Sequence, residues 1–211
     1  AVYLLLKITS SYKKIKSSIV LKEVLSYSWP LTFSGILFII AGKIDTIMLG
    51  HFLNVESVGI YNAVLTISGL LLLGFVAITT LFVSVSSSLF SKQNKKGIEN
   101  LYAFVAKWTA ILTMPLFFLF ISFPKMVITL LFGSVYTSGS IPLVLLSFGV
   151  FFTVMLGPSN NLLETMGRTK LLLISRVIST SSNIIMNLIL IPPYGMIGAA
   201  IATGSSLLLL K

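Results

Sequence analysis

From Trp29 to Phe52 the chain reads WPLTFSGILFIIAGKIDTIMLGHF, an apolar run interrupted near its middle by Lys43 and Asp45. As a helix this run is about 36 Å long at 1.5 Å per residue, enough to cross a hydrocarbon core of about 30 Å. An ionisable side chain inside such a span costs about 2.5–3.5 kcal/mol on insertion scales, so it belongs against a polar interior. The run is therefore expected to be a membrane span that keeps charge for a purpose.

Composition extends this reading to the whole chain. Hydrophobic residues make up 56% of the 211 and charged residues only 9%, against about 25% charged in an ordinary soluble domain. An all-α polytopic transmembrane bundle is expected, with spans at about 29–52, 59–90, 100–123, 141–164, 171–191 and 196–211, the last truncated. Residues 1–8 read as the end of a preceding span, and 10–27 as a basic interfacial segment carrying Lys13, Lys14, Lys16 and Lys22. The domain division is thus 1–27 followed by a six-span bundle over 28–211. Because the sequence opens at Ala1 and stops inside an apolar stretch, the chain is expected to be a fragment of a longer protein.

The net charge of +10 would suggest nucleic acid in a soluble protein. Here the cations cluster in three segments: 10–27, then Lys92, Lys95 and Lys96, then Arg168 and Lys170. The connections between these on the other side carry only Lys125. Such alternation is the positive-inside pattern, and it places 10–27, 91–99 and 165–170 in the cytoplasm and no nucleic acid among the partners.

Two cations lie within spans. Lys107 and Arg176 each fall roughly 8–10 Å from the cytoplasmic end of their helices, where they could draw an anion into a shared cavity or snorkel towards headgroups. Arg176, Thr180, Asn183 and Asn187 recur at i, i+4, i+7 and i+11, a polar stripe on one helical face. That face must meet either a cavity or a neighbouring helix. Lys43 and Asp45 point to different sides of their helix and need separate partners; ion coupling and helix packing both remain open for them. His51, at the outer mouth, reads as an ordinary exposed imidazole. With five acidic residues, one His and no Cys, no catalytic constellation, metal site or cofactor cradle can be assembled, so no enzyme is expected.

Several strings carry a family resemblance: IDTIMLGHF with VGIYN, LLFGSVY, ETMGRTK, and NIIMNLILIPPYGMIGAAIAT. Together they resemble polysaccharide flippases of the multidrug, oligosaccharidyl-lipid and polysaccharide exporter superfamily. The resemblance implies one lobe of a two-lobe, MATE-like transporter working by alternating access. It matches the carboxyl half, so the missing amino-terminal half would be a partner. It further implies a plasma-membrane exporter of a lipid-linked oligosaccharide on a polyprenyl pyrophosphate, among membrane lipids. Lys107, Arg176, Thr180, Asn183 and Asn187 would then face that substrate. The drug/cation antiporters of the same superfamily are the alternative.

Overall fold

The computed structural model describes residues 17–211, and every regular element among them is helical. The expected span end at 1–8 and the lysines at 13, 14 and 16 lie outside the described residues. The first helix, α1, covers Ser17–Phe52 without a break. Pro30 is thus interior to α1. Lacking an N–H, it leaves the Ser26 carbonyl without its usual i+4 donor.

Asn54 then caps α2 (Val55–Gly69), its side chain accepting from the Ser57 N–H at 2.8 Å. A single 3₁₀ turn, Leu70–Leu72, joins α2 to α3 (Leu73–Ser91). Together they form one apolar run of 37 residues, about 55 Å if straight. A rod of that length must tilt or project beyond the hydrocarbon layer. A second asparagine, Asn94, caps α4 (Lys95–Ser122) by accepting from the Gly97 N–H at 2.9 Å. Pro124 opens the nine-residue α5 (Pro124–Phe132), which is too short to cross.

After a 3₁₀ segment at Ser134–Gly139, α6 covers Ser140–Met155 and stops there. The expected span over 141–164 is therefore two pieces, with α7 a separate short helix at Ser159–Thr165. The break has a local cause: Gly157 adopts φ +77°, and Pro158 cannot donate a helical N–H. Helix α8 (Thr169–Tyr194) outruns its expected end by including Pro192 and Pro193 in its last turn. Gly195, at φ +56°, turns the chain into α9 (Met196–Leu209).

Five of these helical stretches are long and apolar enough to cross a membrane, and α9 is a shorter apolar helix. Their outer faces present large apolar side chains such as Ile39, Leu81, Leu112 and Ile189, which suits acyl chains and not water. The chain is a multi-pass membrane protein. Its helices pack in the order α1, α8, α9, α6, α4, α3, with α2 lying against α6. Leu49, Tyr61, Ile67, Phe120, Leu143 and Ala199 belong to the shared core, where Phe117 stacks on Phe151 at 4.0 Å between centroids.

Small residues bring α9 close to its neighbours. A Cβ on Gly149 of α6 would lie 2.4 Å from the Cα of Gly204 on α9, so the two backbones touch as they do at small-residue crossings in membranes. Such contact fixes α9 against α6, and with it Thr203, the neighbour of Gly204.

Candidate functional site

Where α1, α2, α8 and α9 meet, four helices contribute polar groups to one buried cluster around Asp45. Its carboxylate is only 3% exposed. Asn187 donates to Oδ1 at 2.6 Å, Tyr61 donates to Oδ2 at 3.4 Å, and the Thr203 hydroxyl donates to the same Oδ2. Asn187 and Asn183, one turn apart on α8, are themselves linked at 3.2 Å, and Asn183 donates to Thr203 Oγ1 at 3.3 Å. Beside them Thr46 donates to Asn62 Oδ1 at 3.2 Å, tying α1 to α2.

The periodicity of α8 explains half of this arrangement. Residues four apart share a face, and that face is turned inward onto α1 and α9. Thr180, on the same side, is buried as well. Asn183 and Asn187 are both buried, Asn187 completely; Asn187 donates to Asp45 and to Asn183, and Asn183 donates to Thr203. Tyr61 and Thr203 were not singled out by sequence reasoning, although both sit in the VGIYN and GAAIAT strings that carry the family resemblance.

Every hydrogen-bond donor found on Asp45 is electrically neutral. A buried carboxylate without a cation is costly, and neutral donors offset only part of that cost. One further oxygen, Asn187 Oδ1, is buried with no partner. Together these oxygens from Asp45, Asn187, Thr203 and Tyr61 suit a proton or a small hard monovalent cation. Among the described residues no group of three or more His, Cys, Asp or Glu side chains could hold a metal.

The cations are distributed differently from the sequence expectation. Arg176 is half-buried on α8, with its guanidinium 4.7 Å from the centre of the Phe38 ring on α1 and its Nε buried and unpaired. The Glu164 carboxylate is within electrostatic reach. By residue count Arg176 lies about 16 Å from Asn187 along α8, so the guanidinium and the carboxylate cluster are separate sites. Lys107 is exposed on α4. Because α4 packs on α3 and α6 while α8 packs on α1 and α9, this lobe does not bring Lys107 and Arg176 into one cavity. Lys43 is exposed on α1, turned away from Asp45 as its two-residue offset requires.

This bundle has the fold of one lobe of a MATE-like helical bundle. It superposes on the outward-facing conformation of a multidrug resistance MATE family transporter of the MOP superfamily with a TM-score of 0.69 at 18% identity, over 90% of this chain and 43% of that one. The chain belongs to a family described as polysaccharide biosynthesis protein, which matches residues 1–142. Over 193 residues it is 32% identical to an uncharacterized membrane protein, MJ1068, of Methanocaldococcus jannaschii, covering 90% of this chain and 38% of that protein. Over 205 residues it is 28% identical to a probable low-salt glycan biosynthesis flippase, Agl15, of Haloferax volcanii, covering 95% of this chain and 42% of the relative. The chain thus spans about two fifths of the length of the curated relatives it matches.

Proposed function

We propose that the chain is one lobe of an alternating-access flippase that carries a lipid-linked oligosaccharide, borne on a polyprenyl pyrophosphate, from the inner to the outer leaflet of the plasma membrane. The second lobe comes from the rest of the protein, and segments 10–27, 91–99 and 165–170 face the cytoplasm. The observation that carries the reading is the buried Asp45 carboxylate, held across α1, α2, α8 and α9 by donors that, among the described residues, are all neutral. Binding or losing one positive charge there changes the charge state of a four-helix junction, which is how a gradient can bias two arrangements of a bundle. Asn183 and Asn187 position Asp45 and do not contact the sugar.

The glycan is supported by the family to which the chain belongs and by its similarity to the probable glycan flippase. Arg176 supplies a cation with an unpaired Nε in an otherwise apolar span, and a guanidinium fits pyrophosphate oxygens through paired hydrogen bonds. Lys43 on α1 and Lys107 on α4 are further exposed cations, apart from Arg176. In the full-length transporter, Arg176→Glu is expected to abolish glycan export while membrane insertion persists; export at the normal rate would remove the anion-binding role.

A drug/cation antiporter is the second reading, favoured by the same Asp45 cluster, which serves either cargo. Drug efflux in cells expressing the full-length protein, lost in Asp45→Asn, together with unchanged glycan export would decide for the antiporter.

A further inference from the structure

On the side of the bundle that carries the turn at residues 92–94, a cavity of about 1250 Å³ opens between the end of α3, the first turns of α4, helix α7 and Lys211. It lies apart from the Asp45 cluster and from Arg176, neither of which lines it. Its rim is cationic, with Lys95 and Arg168 at the mouth and Glu99 the one acidic lining residue. Lys92, Lys96 and Lys170 flank these in sequence and are exposed. Lys211 closes the inner wall, donating to the Gly157 carbonyl with its ammonium 4.9 Å from the centre of the Phe75 ring. Between the charges the wall is apolar, with Ile98, Leu162 and Met166. Ser159 Oγ is buried in the same wall, beside the Tyr102 side chain.

We infer that this cavity is a binding site for the phosphate of an anionic phospholipid headgroup from the leaflet on the basic side. Lys95 and Arg168 meet the phosphate oxygens, Ser159 donates to one of them, and the apolar wall accommodates the glycerol and the first methylenes of the chains. The combination of cationic mouth and apolar lining matches an amphiphile better than a free anion. A soluble phosphate would gain nothing from Ile98, Leu162 and Met166 and would have to shed its water beside them. The inference requires no particular cargo and is independent of the transport reading.

The test is a titration of the purified full-length transporter in neutral detergent with short-chain phosphatidylglycerol, read by native mass spectrometry. Each basic group near a membrane surface contributes about 1 kcal/mol, so Lys95→Gln and Arg168→Gln are each expected to weaken binding about fivefold. Lys125→Gln, outside the cavity, is expected to leave it unchanged. Unaltered affinity in both cavity variants would overturn the site. An equal loss in Lys125→Gln would overturn it too, since the titration would then be reporting net charge. Displacement of the lipid by an equal concentration of inorganic phosphate would overturn the lipid assignment. Because Arg176→Glu removes export without touching this cavity, failure here and failure of the flippase reading are separate results.

Discussion

Asn187 and Asp45 stand 142 residues apart in the chain and 2.6 Å apart in space, a hydrogen bond that ties α8 to α1 within the polar cluster. The bond joins the face of a polar stripe to a carboxylate whose hydrogen-bond donors among the described residues are all neutral. From it follow two separable consequences, one for energy coupling and one for stability.

Coupling is tested by Asp45→Asn, which keeps the side chain's size and removes its charge. The folded bundle should survive, because an amide oxygen still accepts from Thr203 or Asn187; the loss in stability is expected to be about 1–2 kcal/mol. Export by the full-length protein should stop responding to an imposed proton or sodium gradient. A variant whose transport still tracks the gradient would mean the coupling charge is elsewhere.

Stability is tested on the other partner. Asn187→Ala removes the 2.6 Å donor to Asp45 and leaves a buried carboxylate oxygen short of a partner, which costs about 1–3 kcal/mol. Asn183→Ala breaks only the links at 3.2 and 3.3 Å, so its melting temperature in detergent should fall less. If the two variants melt alike, the cluster is held by something other than the Asn187–Asp45 bond.

Much of the fold was legible because a bilayer imposes simple demands on sequence. Length and apolarity placed the spans, and the segregation of Lys92, Lys95, Lys96, Arg168 and Lys170 into turns marked one side of the bundle. The expected boundaries went astray where proline reads differently with context. Pro30 sits within α1 and Pro192-Pro193 within the last turn of α8, whereas Gly157-Pro158, inside the expected span 141–164, follows the end of α6. The site was only half legible. The spacing of Thr180, Asn183 and Asn187 revealed one polar face, but periodicity cannot say what a face meets. Thr203, 158 residues from Asp45 in the chain, becomes its partner only because α9 folds back along α8 and is held there by small residues.

That close approach carries its own prediction. At Gly149 a Cβ would lie 2.4 Å from the Gly204 Cα, so Gly149→Leu must separate α6 from α9. Overpacking of this kind costs about 1–3 kcal/mol and sometimes more, and it should displace Thr203 from Asp45. Gly59→Ala is the control, since a Cβ there meets nothing within 4 Å and alanine favours the helix. A marked drop in melting temperature for the first and none for the second is expected; equal melting would show that the α6–α9 contact is loose.

Orientation and water access can be read together by introduced cysteines, since the sequence has none of its own. Val55, at the start of α2, is 86% exposed, and Gln93 sits in the turn between α3 and α4. With the basic segments inside, Val55→Cys should react with an impermeant maleimide in intact cells, and Gln93→Cys only after permeabilisation. The opposite pattern would invert the topology and place Arg176 near the wrong leaflet. Two positions within α1 then separate water from lipid. Ile39 is 67% exposed and apolar, as a lipid-facing residue should be, whereas Lys43 is exposed and ionisable. A charge at that depth is tolerated where water reaches it. Lys43→Cys should therefore react with a small charged thiol reagent while Ile39→Cys stays inert, because thiolate forms only in contact with water. Reaction at Ile39 and none at Lys43 would turn the exposed side of α1 the other way, leaving Lys43 against acyl chains and removing it from any path taken by an anionic substrate.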